Sequence, residues 1–313
     1  MRRRAFSPSV CLRSMPEKKY LVTIGTFDGV HLGHQKLIRW AMNRARALKM
    51  RSRVVFFVSP PRFFFRPSLK VPLLTTGPER RAFLHGLGVD RVEVLRFGSR
   101  WAEMPHERFF EDYVIKRWKA GGILVGKDFA FGKGRKGDLP YLQRETAARG
   151  MHLSVLPLVR VGGKKISSSG IRSLLAKGDA ERAARMLGRP YALTGTAARG
   201  RGLGRKLGFP TANLRLPAEV LTPPGVFLVR VAGGPLRGPR DAVCNVGLRP
   251  TVNRRGRRLV VEVHVPGFSG DLYGARLKLE FIRRLRGERK FASLEALKRQ
   301  IGRDIQAMRG RSA

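Results

Sequence analysis

Apolar and polar positions follow two different patterns along this chain. In the first half, short apolar runs alternate with stretches of helical spacing. Tyr20-Leu21-Val22-Thr23-Ile24 predicts a short buried strand, and residues 35–42 carry apolar positions at helical intervals. The same alternation predicts strands over 53–58, 89–95, 122–126 and 152–159. Between them it predicts helices beginning at a Thr76 cap and over 105–118, 138–149, 166–175 and 178–187. Strands alternating with helices predict a parallel sheet with crossover helices. Gly188-Arg189-Pro190 then punctuates the chain and the pattern changes. Short strands over 191–196, 226–232, 241–246, 259–265 and 276–282 are separated by Gly and Pro, and 293–308 reads as an amphipathic helix. That regular spacing predicts a small antiparallel barrel or sandwich with a terminal helix. The domain boundary is placed near Leu187, giving domains over 18–187 and 188–313, with 1–17 as a disordered extension.

Between the first strand and first helix lies Gly25-Thr26-Phe27-Asp28-Gly29-Val30-His31-Leu32-Gly33-His34. Strand, glycine-rich turn and helix start form a phosphate-binding arrangement, because unpaired N–H groups and the positive dipole end meet there. His31 and His34, three apart, face one ligand. In folds of this kind ligands sit beyond the carboxyl ends of the strands. The basic loop Lys127-Asp128-Phe129-Ala130-Phe131-Gly132-Lys133 occupies a second such position. The start at Ile166-Ser167-Ser168-Ser169-Gly170-Ile171-Arg172 reads either as hydroxyls, N–H groups and an arginine holding a polyphosphate, or as a plain serine cap with a surface arginine.

In the second half, Gly200-Arg201-Gly202-Leu203-Gly204-Arg205-Lys206-Leu207-Gly208-Phe209-Pro210-Thr211-Ala212-Asn213 is the informative stretch. Alternating glycines let backbone approach a phosphate. Thr211 and Asn213 share a face in extended chain, and a hydroxyl with an amide oxygen suits magnesium. An ordinary Pro-Thr turn is the plainer reading. In Val260-Val261-Glu262-Val263-His264-Val265 the alternation puts Glu262 and His264 opposite the valines. Glu262 is then either a base for a substrate hydroxyl or the partner of an arginine.

Composition narrows these readings. A chain of 313 residues with 42% hydrophobic content builds cores, and no apolar run reaches membrane-spanning length. Two cysteines, Cys11 and Cys244, exclude a disulfide scaffold and a cysteine zinc site and fit a reducing cytoplasm. Only two of the six histidines cluster, which argues against a histidine metal site. The net charge of +42 points either to an anionic partner or to an arginine-rich background. The spread of arginine along the whole chain favours the background, with nonspecific nucleic-acid binding at low salt and no specific nucleic acid or membrane partner.

The order of these segments resembles the bifunctional prokaryotic FAD synthetase family, which joins a riboflavin kinase to an FMN adenylyltransferase. The matching runs include Gly25 to His34, Val125 to Phe129, Ile166 to Arg172, Leu207 to Leu214, Asn245-Val246-Gly247 with Arg249-Pro250-Thr251, and Glu262 to Phe268. The resemblance implies a Rossmann-like nucleotidylyltransferase domain followed by a β-barrel kinase domain. It implies riboflavin, FMN and ATP as substrates, with Mg2+. It assigns His31 and His34 to adenylyl transfer. Gly25, Phe27, Asp28, Gly33, Ser167, Ser168 and Arg172 go with ATP, and Asp128 and Phe129 with flavin or nucleotide. Gly202, Gly204 and Arg205 go with phosphate in the kinase half, Thr211 and Asn213 with the metal, and Glu262 with activation of the riboflavin hydroxyl. Three positions depart from the family pattern: Pro60 replaces a usual His, Gly170 a larger residue, and Gly267 an Asp. The first two motivate a second reading, a riboflavin kinase with a weakened adenylyltransferase half. The charge motivates a third, a basic nucleic-acid-binding protein on this scaffold.

Overall fold

A computed structural model describes residues 19–69, 71–156, 160–161, 164–200, 202–249 and 258–310. The expected extension over 1–17, the end of the 152–159 strand, Arg201, Pro250 and Thr251 lie outside the described residues.

Five parallel strands form the first sheet: β1 (Tyr20–Gly25), β2 (Arg51–Phe57), β3 (Arg91–Leu95), β4 (Ala120–Gly126) and β5 (His152–Leu156), in the order β3-β2-β1-β4-β5. Their crossovers are helices, as the alternation predicts. α1 (Leu32–Ala47) starts three residues before the expected segment, with His31 as its N-cap. α2 (Gly77–Gly86) opens on a full capping box between Thr76 and Glu79. The helix expected over 105–118 forms with a widened middle: α3 (Phe109–Arg117) is π-helical, and Trp118 N–H donates to the Tyr113 carbonyl at 2.7 Å. α4 (Leu139–Ala148) has Asp138 as its cap.

The chain then leaves the sheet through α5 (Ser168–Ala176) and α6 (Ala180–Leu187). Six antiparallel strands follow: β8 (Tyr191–Ala198), β9 (Ala212–Arg215), β10 (Gly225–Gly233), β11 (Arg240–Arg249), β12 (Arg258–His264) and β13 (Arg276–Arg286); β6 (Arg160–Val161) and β7 (Lys164–Lys165) pair as a separate small hairpin. They close a barrel in the order β10-β11-β12-β9-β8-β13, so the barrel alternative holds over the sandwich. Within the barrel, β9 is the strand that the apolar spacing did not mark, since it is only four residues long, and the two-residue strands β6 and β7 were not marked either. α7 (Leu294–Arg309) lies against the barrel wall, capped by Ser293.

The two halves share a core. Ile171 and Leu175 of α5 and Ala180, Ala183 and Leu187 of α6 bury their side chains with the barrel residues Tyr191, Leu193, Phe227 and Phe281. Leu73 joins this seam through a parallel bridge to Val220, its N–H donating to the Glu219 carbonyl at 2.6 Å and its carbonyl accepting from Leu221 at 2.8 Å. Gln35 Nε2 of α1 donates to both Val30 and Leu187 carbonyls at 2.9 Å, and Arg189 donates to the Gly29 carbonyl at 2.8 Å. The turn at the head of β1 is therefore braced from the residues that lead into the barrel.

Candidate active sites

The first cavity, about 630 Å3, opens at the carboxyl ends of β1 and β4. This is where the strand order reverses, between β1 and β4, and side chains from both βα turns splay apart there. His31, Gly33, His34, Asp128, Phe129, Ser167, Ser168 and Arg172 all line it, as the sequence implied. Thr26, Pro60, Arg62, Lys127 and Arg135 join them. Pro60, the residue in place of a usual histidine, therefore stands at the cavity wall.

His31 caps α1 by accepting from the His34 N–H at 3.3 Å, and the two imidazoles stack with centroids 3.6 Å apart. Burial lowers the His31 pKa to about 4, and burial together with His31 and Arg80 pushes His34 well below its usual value. Both rings are thus neutral near pH 7 and act as hydrogen-bonding groups rather than cations. Nδ1 of His34 is buried with no hydrogen-bond partner among the described residues. A buried ring nitrogen left unpaired in a cavity wall calls for a ligand to satisfy it.

The depressed pKa values carry a sign. An unfolded histidine takes up its proton near pH 6.5, while folded His31 stays neutral down to about 4. The unfolded state therefore binds more protons in that window, and stability falls as pH falls through it, by up to about 1.4 kcal/mol per pH unit for each such group. The thermal midpoint of this half is expected to drop between pH 6.5 and 4 and to drop less with ATP present. A midpoint independent of pH across that range contradicts neutral histidines.

Of the other turn residues expected at ATP, Asp28 reaches the cavity wall, whereas Phe27 and Gly25 are not part of its lining. Asp28 lines the cavity, and its carboxylate is already engaged by protein partners. It pairs with Arg80 at 3.2 Å and Arg172 at 2.5 Å, and accepts from the Leu74 N–H, the Thr75 N–H and the Thr75 hydroxyl. An anion facing the phosphates would repel them. Held between two arginines, it leaves a net positive charge beside the cavity. Arg80 is fully buried and also donates to the carbonyls of Thr26, Phe57 and Thr75. Phe27 is packed inward, edge-on to His34 at 5.3 Å, and lies outside the cavity lining. Gly25 is required by that ring, since a Cβ there would sit 2.9 Å from Phe27 Cζ. Phe27 and Val30 hold φ of 46° and 38°, a left-handed conformation that costs a non-glycine residue about 1–3 kcal/mol. The Asp28 network holds the turn in this strained shape. Ser168 adds a hydrogen bond from its hydroxyl to the Asp28 carbonyl at 2.9 Å, and Ser167 caps α5 by accepting from the Gly170 N–H. Arg172 is both the expected arginine one turn into the helix and a strut of the turn.

The second site lies on the barrel. Pairing register places Asn213 of β9 opposite Glu262 of β12, and Glu262 opposite Asn245 of β11. Val261 and Val263 point into the core, so these three polar residues share the outer face. They line a cavity of about 250 Å3 with Gly202, Gly204, Thr211 and His264. Its far wall is α7, through Leu297, Ile301 and Asp304. A neighbouring cavity of about 600 Å3 is lined by Arg199, Arg205, Asp271 and Tyr273. Thr211 and Gly202 line both cavities and stand where the two meet.

The glycines of this stretch make room for the protein's own side chains. A Cβ on Gly204 would meet the Phe209 carbonyl and come within 3.1 Å of Thr211 Oγ1, and one on Gly200 would run into the Asn213 amide. Gly200→Ala is therefore expected to displace Asn213 and lower kinase kcat/KM by about 100-fold. The thermal midpoint should hardly change, because a flexible side chain gives way. Wild-type kinetics would remove Asn213 from the site.

Asp304, Arg286 and Arg80 were not found from the sequence, and Asn245 was marked only as part of a matching run, without a role. Asp304 is buried on the apolar face of α7, where Arg286 grips it bidentately at 2.9–3.1 Å and Gln300 donates to it at 2.8 Å. An acid on the apolar stripe of an amphipathic helix was the available signal.

Comparison with known proteins matches these halves separately. The FAD synthetase family model covers residues 14–170, and the riboflavin kinase model covers residues 187–311. The chain is 36% identical over 293 residues to the bifunctional riboflavin kinase/FMN adenylyltransferase of Escherichia coli K12, spanning 94% of this chain and 93% of that one. It is 39% identical over 299 residues to the protein of the same description from Pseudomonas fluorescens, spanning 95% of each. The chain belongs to the bifunctional riboflavin kinase/FMN adenylyltransferase family. A crystal structure from Streptococcus pneumoniae described as a macrolide-efflux protein shares the fold over 96% of each chain, with a TM-score of 0.82 and 30% identity. Among the described residues no helix is long and apolar enough to cross a membrane. The adenylyltransferase sheet and the kinase barrel stand in the order the resemblance implies, and the two alternative readings lose their ground to a match that covers both halves.

Proposed function

We propose that the barrel half phosphorylates riboflavin from ATP and the sheet half then transfers AMP from a second ATP to the FMN so formed. In the first step the riboflavin 5′-oxygen bonds to the γ-phosphorus as the bond to the leaving ADP oxygen breaks, and Glu262 takes the hydroxyl proton. In the second, an FMN phosphate oxygen bonds to the α-phosphorus and pyrophosphate leaves. His31 and His34 act there as neutral hydrogen-bonding groups on the phosphates, with the Ser167–Ser168 helix start and Arg172 beside them. Asp128 and Phe129 flank the acceptor, and Asp28 acts on the turn.

The observation that carries the kinase reading is the row of Asn213, Glu262 and Asn245 in one cavity, next to a second cavity that shares Thr211. Thr211 and Asn213 fit magnesium on the chemistry of the donor set. They offer a neutral hydroxyl and an amide oxygen, and the described residues hold no cluster of three His, Cys, Asp or Glu side chains. Such a set suits an ion that brings most of its ligands from nucleotide phosphates and water. Magnesium bound there supplies neutralisation of phosphate charge.

The division at Leu187 assigns 18–187 to adenylyl transfer and 188–313 to the kinase, with α5 and α6 shared structurally. Cysteine usage supports a cytoplasmic setting, Cys244 being a free thiol in the barrel core. Incubation with riboflavin, ATP and Mg2+ followed by flavin separation tests the whole reading. FMN and FAD together are expected; FMN alone would sink the adenylyltransferase half.

A further inference from the structure

Arginine is spread along this chain, but carboxylates are not. Between Asp28 and Glu79 there is no Asp or Glu, while Lys36, Arg39, Arg44, Arg46, Lys49, Arg51, Arg53, Arg62, Arg66 and Lys70 make ten cations. α1 lies wholly inside this stretch. Its inner face, Ile38, Ala41, Met42 and Ala45, is buried on the sheet. Its outer face carries Lys36, Arg39, Trp40, Asn43 and Arg44, all exposed. Trp40 is 41% exposed. Lys36 and Arg44 stand four residues before and after it, so at helical spacing they flank the indole on one stripe. Among the described residues Lys36, Arg39 and Arg44 have no carboxylate partner. Elsewhere on the molecule some exposed cations, Arg117, Lys116 and Arg149, are matched to Glu93, Asp112 and Glu145. Others, such as Arg100, Arg108 and Arg185, are not matched among the described residues, so the indole among the cations is what sets the α1 face apart.

We propose that the outer face of α1 is a docking surface for single-stranded RNA, with bases stacking on Trp40 and phosphates held by Lys36, Arg39 and Arg44. An exposed indole among unpaired cations is the combination that binds single strands without reading their sequence: the ring takes any base face and the cations follow the backbone. Charge complementarity favours a polyanion over a protein partner. A bilayer surface is the poorer fit, because the apolar side of α1 is spent on the sheet and only one ring is offered for insertion. Lys36, Arg39, Trp40 and Arg44 line none of the three cavities described above, and the surface does not rest on the activities argued there.

Three phosphate contacts set a measurable scale, since each contributes about 0.7 to the slope of log affinity against log salt for a single strand. The test uses the full chain and a fluorescein-labelled oligouridylate, with anisotropy read over about 50–200 mM salt. Lys36→Ala with Arg39→Ala and Arg44→Ala is compared with Arg100→Ala, Arg108→Ala and Arg185→Ala, which remove the same charge elsewhere. The first set is expected to lower the slope by about 2 and the second to leave it nearly unchanged. Trp40→Ala is expected to weaken binding about tenfold with the slope kept, and Trp40→Phe to restore most of it. A base-paired RNA duplex, whose base faces are hidden, should bind more weakly than the single strand. FMN formation by every variant serves as the folding control.

Equal losses from the two triple sets would reduce the effect to diffuse charge and overturn the proposal. So would wild-type affinity in Trp40→Ala, equal binding of duplex and single strand, or binding of phosphatidylserine vesicles without binding of the oligouridylate.

Discussion

Glu262→Gln removes FMN formation by a factor of about 10²–10⁴ while adenylylation of supplied FMN proceeds at the wild-type rate. Glutamine keeps the shape and the hydrogen-bonding oxygen but accepts no proton. The strand register holds position 262 between Asn213 and Asn245, so the substitution leaves the cavity wall in place. The loss therefore falls on kcat rather than on the fold. The converse holds for His31→Ala, which removes the cap of α1 and one of the stacked rings: FAD synthesis from supplied FMN is lost while phosphorylation of riboflavin continues. Product analysis with riboflavin and with FMN as separate starting flavins reads both. If either variant lost both activities equally, the two reactions would not reside in independent cavities.

Asp28→Asn gives the largest stability effect, about 3–5 kcal/mol by chemical denaturation, because Arg80 and Arg172 are left as buried cations without a counter-charge. An amide in place of the carboxylate also turns a donor toward the guanidinium and N–H groups that now give to an acceptor. Domains are stable by only about 5–15 kcal/mol, so the loss is a large share of the total. FAD synthesis is lost with it, since the turn at Phe27 and Val30 is held in a strained conformation by this network. Wild-type stability with loss of FAD synthesis would make Asp28 a substrate ligand rather than a strut.

Much of the local structure was legible from residue order. The run at Tyr20, the turn after it, the Thr76 and Ser167 caps and the valine alternation around Glu262 each depend on neighbours within a few positions, and each formed as expected. β9 was not, because four residues carry too little periodicity to stand out. The sequence also marked His31, His34, Arg172, Thr211 and Glu262 as site residues, and all five line cavities. It did not show the partners of Asp28, which are Leu74, Thr75, Arg80 and Arg172, all far along the chain. Arg80 gave no signal of its own role, because a charged residue at helical spacing looks solvated until its buried partner is known.

Residue order by itself determined which segments are strands and helices, the two-part organisation, and the chemistry offered at each turn, since burial periodicity and capping are local. The tertiary structure alone decided that the barrel closes and that Asn213, Glu262 and Asn245 stand in a row. It also decided that the acid of the opening turn is paired with two arginines. Those outcomes rest on pairings between segments tens to more than a hundred residues apart. The energy of such a pairing depends on which groups meet out of water, and one-dimensional spacing does not contain that.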